Sequence, residues 1–154
     1  MDEWVLFAYR IPREPSAPRI AVWRKLRRLG AVQLGDGLAA LPRTPQSQEQ
    51  LEWLADEAGA AGGEASLWFG RPASRAQQRE LAHRASHRVA EEYATVLAAA
   101  NEARKKDEST RKRTVARLRR TLRAIRARDW FDAPERREAE RAVEALAAAV
   151  EVTR

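Results

Sequence analysis

Cysteine is absent from this 154-residue chain, which removes disulfides, thiolate nucleophiles and cysteine-based zinc or iron–sulfur sites together. Histidine occurs only as His83 and His87. Their i, i+4 spacing on a helix can bring two imidazoles to one metal, but no His-Glu-x-x-His pattern surrounds them, so exposed histidines and no metal are expected. No apolar run approaches the roughly 20 residues that span a bilayer. The opening Met-Asp-Glu-Trp-Val also lacks the basic n-region of a signal peptide. A cytoplasmic protein with no membrane partner is therefore expected. Paired carboxylates and nucleophile–base sets are missing as well, so a non-enzyme without a cofactor is expected.

What is present divides unevenly. Residues 1–72 carry 9 basic and 9 acidic side chains, whereas 73–154 carry 20 and 13, so the net charge of +7 resides in the second part. The excess is densest over 104–128, with 12 Lys or Arg against Asp107 and Glu108. Such a segment meets an anionic surface or stays strongly solvated, and nucleic acid is the commonest such surface. With 44% hydrophobic residues and five Trp, the chain is too apolar for disorder. Its length suits one buried core with a helical appendage. The preference for Ala, and for Arg over Lys, points to a GC-rich bacterial genome.

The segment Trp4 to Ile11 is apolar and β-prone and is stopped by Pro12 and Pro15, which suits a central strand. Ser16 and Pro18 mark a helix start, followed by Ile20, Trp23, Leu26 and Leu29 at helical spacing and closed by Gly30. Ala31 to Leu34 and Leu38 to Leu41 flank Gly35-Asp36-Gly37, whose glycines suit a hairpin turn. Thr44-Pro45 opens a second helix, with Leu51, Trp53, Leu54 and Ala58 along it and Gly62-Gly63 after it. Glu64 to Phe69 reads as the last strand. This order is that of a ferredoxin-like split βαβ sandwich, a four-stranded antiparallel sheet with two helices, assigned to 1–72.

The remainder, 73–154, reads as a basic helical unit packed on it. Ser74-x-x-Gln77 is a capping box, and Leu81, Ala85, Val89, Tyr93, Val96 and Ala100 form one long stripe. After a polar break at 105–109, Val115, Leu118, Leu122 and Ile125 make a narrow stripe flanked by Arg and Lys. Asp129-Trp130-Phe131 makes a corner, Asp132-x-x-Glu135 with Pro134 starts another helix, and Val143, Leu146 and Val150 face inward. A three-helix antiparallel bundle is predicted, giving an α+β chain overall.

Several of these positions resemble a known family. The run from Trp4 to Arg19, then Val22 to Val32, Leu41-Pro42, Trp53-Leu54-Ala55 and Gly62-Gly-Glu-Ala65, resembles the N-terminal region of the ChrB family of chromate-resistance regulators. Arg126-Ala-Arg-Asp-Trp-Phe-Asp-Ala-Pro134 is similar to that family's Arg-x-x-Asp-Phe-Phe corner. The resemblance implies a regulator that represses a chromate-efflux operon by binding its promoter and is released by chromate. It also implies a distant likeness to the middle domain of PaaX-type repressors and to the ferredoxin-like nucleases of CRISPR adaptation. Those nucleases ligate a metal through an acidic residue at the end of strand one, where this chain reads Tyr9-Arg10-Ile11-Pro12. Members of the ChrB family continue into a second domain where chromate-responsive residues are placed, so the resemblance implies either sensing by a separate domain or protein or a stand-alone relative that answers a different signal.

Two readings follow for the basic segment. In the favoured one, Arg111, Lys112, Arg113, Arg117, Arg119, Arg120, Arg123 and Arg126 contact DNA phosphates of the chain's own promoter, helped by Arg24, Lys25 and Arg28. Basic neighbours such as Arg113 with Arg117 and Arg123 with Arg126 repel by a few tenths of a kcal/mol each unless an anion intervenes. Phosphate contacts give affinity and salt dependence without base readout, and no helix-turn-helix signature selects a groove. In the alternative, the chain is a protein-interaction module whose ferredoxin-like unit forms a homodimer and whose basic helix pairs with acidic helices. Arg10, Arg19 and Arg43, near strand ends, are candidates for binding an oxyanion in a cleft between the two units. Trp4, Trp23, Trp53 and Trp68 are expected in the core rather than as base-stacking platforms.

Overall fold

A computed structural model describes residues 3–152. Its elements run β1 (Trp4–Arg10), α1 (Ala17–Leu29), β2 (Val32–Gly35), β3 (Leu38–Pro42), α2 (Pro45–Ala60), β4 (Glu64–Gly70), α3 (Arg75–Ala103), α4 (Glu108–Ala127) and α5 (Glu135–Val152). The strands form one antiparallel sheet in the order β2-β3-β1-β4. This is the ferredoxin-like arrangement, and three helices follow it. Compact packing divides the chain between Arg84 and Ala85, inside α3, whereas composition changes at Pro72. No described helix is long and apolar enough to cross a membrane.

In the first unit, strand register sorts the residues by face. Val5 pairs with Leu41 and Phe7 with Ala39, and all four are fully buried; α2 packs against β1 and β4. Leu51, Leu54 and Ala58 of α2 and Val22 and Leu26 of α1 complete this core. Residues of the other parity, Trp4, Leu6 and Ala40, form the second face. There the Trp4 indole donates to Gln78 Oε1 at 2.9 Å, drawing in the first turn of α3. Thr44 and Ser47 cap α2 reciprocally, and Gly30 closes α1 in the left-handed region. Of the two hairpin glycines only Gly37 has positive φ, and a Cβ on it would stand 2.4 Å from the Tyr9 carbonyl.

The structure departs from three local expectations. Ser16 precedes α1 but makes no side-chain cap bond. The buried positions of α1 are Val22 and Leu26, not Ile20 and Trp23, which are 39% and 45% exposed. Val22–Leu26–Leu29 is an equally helical stripe, and β-branched Val packs closer to the sheet than an indole would. Trp53 and Trp68, also expected inside, are 69% and 61% exposed, whereas Trp4 is buried as expected. The inward stripe of α2 passes through Leu51, Leu54 and Ala58, leaving position 53 outside.

In the second unit the stripes fall where the period places them. Val89, Tyr93, Val96, Ala100, Val115, Leu118, Ile125, Val143 and Leu146 form one buried cluster, against which Leu122 packs. Short connections make successive helices antiparallel, as the side-chain pairs along them also show. Arg119 meets Glu144 while Arg126 meets Glu140, seven residues on against four back.

Candidate nucleic-acid interface

Because α4 turns about 100° per residue, its side chains divide into distinct sectors. Val115, Leu118 and Ile125 face the core. Arg119 and Arg126 lie on the flank towards α5, where Arg119 Nη2 stands 3.2 Å from Glu144 Oε1 and Arg126 Nη1 3.7 Å from Glu140 Oε1. Lys112 pairs with Glu108 one turn back at 3.2 Å. Arg111 is half-buried and donates to the Lys106 carbonyl at 3.0 Å.

Opposite the apolar stripe run Arg113, Arg117, Arg120 and Arg123, spaced by four, three and three residues. All four are exposed. Arg113 donates to Thr110 Oγ1 at 3.3 Å, and among the described residues Arg117, Arg120 and Arg123 meet no carboxylate. The ridge extends about 15 Å along the axis. Asp107 lies close enough to Arg113 to interact with it electrostatically, but the i, i+3 and i, i+4 repulsions among Arg117, Arg120 and Arg123 stand uncompensated, so this part of the ridge favours any anion that bridges the guanidinium groups.

The corner after α4 fixes how this helix is held. Tyr93 is fully buried on α3, and its hydroxyl donates to Asp129 Oδ2 at 2.9 Å. The same carboxylate accepts the Ala133 N–H at 3.0 Å, tying the start of α5 to the end of α4. Asp132, expected to cap α5, has a φ of 54° and pairs instead with Arg136 at 2.7 Å. Arg128, left out of the sequence-based set, reaches back from the end of α4 to Glu92 at 2.6 Å. Burial, and then the hydrogen bond to Asp129, push the Tyr93 hydroxyl above the usual tyrosine range.

In the first unit, Arg24, Lys25 and Arg28 are exposed on α1, and Lys25 pairs with Glu57 of α2 at 2.7 Å. Arg27, between them, lies 4.8 Å over the Trp23 ring. The three oxyanion candidates do not converge. Arg10 ends β1 opposite Glu64, whereas Arg43 follows the end of β3 that pairs with Trp4, some 20 Å away along the strand. Arg43 is also ion-paired with Glu3 and stacked 3.7 Å over Phe69. Arg19 is exposed in the first turn of α1. A pocket of about 390 Å³ on the second sheet face has Trp4, Leu6, Leu34 and Leu81 in its lining and Arg71 and Arg84 beside them. No sequence signal marks that convergence, because β1, β2, β4 and α3 each supply part of it. His83 and His87 are exposed on α3, and His87 Nε2 stands 3.2 Å from Glu91.

Comparison with known proteins adds three findings. The family model described as "Protein ChrB, N-terminal" matches residues 19–153. Protein ChrB of Cupriavidus metallidurans is 31% identical over 132 residues, covering 83% of this chain, which spans about 40% of that relative's length. An uncharacterized protein, Rv0674, of Mycobacterium tuberculosis superposes with a TM-score of 0.55 at 14% identity, over 99% of this chain and 64% of that one. The last likeness concerns the fold alone.

Proposed function

This chain belongs to the ChrB family, matching its N-terminal region, and on that premise we propose that it is a non-enzymatic, cytoplasmic DNA-binding transcriptional regulator. The operon it controls would confer resistance to chromate or a related oxyanion, as the family resemblance implies, with sensing assigned to a separate domain or protein. The observation that carries the DNA reading is the outer ridge of α4, where Arg117, Arg120 and Arg123 are exposed and meet no carboxylate among the described residues. Duplex DNA presents one charge per roughly 1.7 Å of axis, so a ridge this long lies within reach of several phosphates. Arg111, Lys112, Arg119 and Arg126 border it and add to the positive field. Arg24, Lys25 and Arg28 form a second basic surface on the other unit. These contacts supply affinity and orientation, and base readout must come from elsewhere.

The test is fluorescence anisotropy with a promoter fragment of the chain's own operon over a salt series, with and without chromate. Saturable, sequence-preferring binding with a steep salt slope supports the regulator. Release by chromate would assign sensing to this chain. Absence of binding at moderate salt would overturn the DNA reading.

One observation favours a second reading. Arg119 and Arg126 already meet Glu144 and Glu140 of α5, so one side of α4 is suited to acidic helices. A partner helix carrying carboxylates along the outer ridge would make the chain a protein-interaction module instead.

A further inference from the structure

The two edges of the sheet are built differently. β2 has four residues and shifts register between Gln33 and Gly35, the kind of short, irregular edge by which natural sheets discourage further pairing. β4 has seven residues, pairs with β1 along its whole length, and contains no proline, lysine or arginine. Its one charge, Glu64, stands at its first position. Consecutive Trp68 and Phe69 fall on opposite faces of the strand and remain 61% and 47% exposed. Among the described residues no strand lies on the outer side of β4. A regular apolar edge of this kind is a template for strand addition.

We propose that β4 is a dimerisation edge, at which a second copy of this chain adds its own β4 antiparallel about a two-fold axis at Leu67, giving one continuous eight-stranded sheet. Self-pairing is favoured by the order of side chains along the strand. With Leu67 at the axis and all seven residues overlapping, Trp68 faces Ser66 of the second copy and Phe69 faces Ala65, each twice. Every aromatic thus lies against a small residue, and exposed apolar surface is covered on both faces. Glu64 falls opposite Gly70, so no like charges oppose one another, and Arg71 beyond each strand end lies next to the opposing Glu64. This inference does not depend on the DNA reading.

The absence of cysteine makes the register directly testable. Directly opposed residues in an antiparallel pair have Cα atoms about 4.5–5.5 Å apart, within disulfide range. Oxidised L67C is expected to form a covalent dimer of twice the 17.4 kDa chain mass, while A145C, at an exposed position of α5, forms no disulfide-linked dimer. Sedimentation over a concentration series should give the doubled mass for the unmodified chain. S66K/W68K and S66E/W68E should each be monomeric, through like charges opposed across the axis, and dimerise when mixed; circular dichroism would check that both remain folded. A monomeric unmodified chain, charge variants that keep the doubled mass, or L67C cross-linking no better than A145C would each overturn the proposal.

Discussion

Two sides of α4 carry the same residue type and differ in what surrounds it. Arg119 and Arg126 face α5 and have Glu144 and Glu140 within 4 Å, whereas Arg117, Arg120 and Arg123 face away and meet no carboxylate among the described residues. The difference shows why a count of charges along a segment overstates its usable positive field. Part of the arginine on a helix can be paired by the next helix, and the remainder defines where an anion binds most favourably.

Removing the outer ridge should have the largest effect. If each of Arg117, Arg120 and Arg123 releases about one counterion-equivalent on binding, R117A/R120A/R123A lowers the slope of log affinity against log salt by about three. Affinity for the promoter fragment should fall roughly a hundredfold at low salt. Anisotropy titrations at several salt concentrations measure both. Unchanged slope would mean that the ridge does not meet phosphate and would erase the functional side of the comparison.

The next effect concerns the corner that holds the ridge in place. Asp129→Ala removes the acceptor for the buried Tyr93 hydroxyl and for the Ala133 N–H together. Leaving a buried hydroxyl unpaired costs about 1–3 kcal/mol, so urea denaturation followed by circular dichroism should show a loss near the upper end of that range. Tyr93→Phe removes donor and need together and should cost about 1 kcal/mol. Equal losses in the two variants would contradict the role assigned to the carboxylate.

How far these features could be read from sequence differs between the units. The helices α3, α4 and α5 have 29, 20 and 18 residues, long enough for one stripe to dominate, and Val89, Tyr93, Leu118, Ile125, Val143 and Leu146 are buried where spacing places them. The 13-residue α1 offers two stripes of similar quality, and the larger indole of Trp23 draws the wrong one. Trp68 shows a different limit. Its strand was legible, but edge position depends on pairing with β1 alone, a long-range fact that no local pattern records. The pairing of Arg119 and Arg126 likewise depends on the register of α5 against α4. Sequence identifies the acidic candidates there without identifying which arginines they reach.

Alkaline pH should produce a smaller effect, again at the corner. Tyr93 has its ionisation pushed up by burial and by Asp129, so the folded chain keeps the proton where an unfolded tyrosine, titrating near 10, releases it. A raised folded value gives stability that is intact below the unfolded value and lost as pH rises above it. At pH 11 the unfolded state gains about 1.4 kcal/mol from this group. The difference in stability between the unmodified chain and Tyr93→Phe should narrow by that amount between pH 9 and 11, or change sign. A constant difference would show that the hydroxyl is not protected in the fold.

The smallest effect is expected on the paired flank, and it sharpens the opening contrast most. Arg119 and Glu144 are both well exposed, so water and salt screen their attraction, and pairs of this kind contribute about 0–1 kcal/mol. A double-mutant cycle of R119A and E144A should return a coupling within that range. Because Arg119 and Arg126 already have anionic neighbours, R119A/R126A should lower promoter affinity far less than loss of the three ridge arginines, with little change in salt slope. Equal losses would mean that both arginines exchange carboxylate for phosphate when DNA binds. The two sides of α4 would then form one interface, and E144A would be expected to strengthen binding by freeing Arg119 in advance.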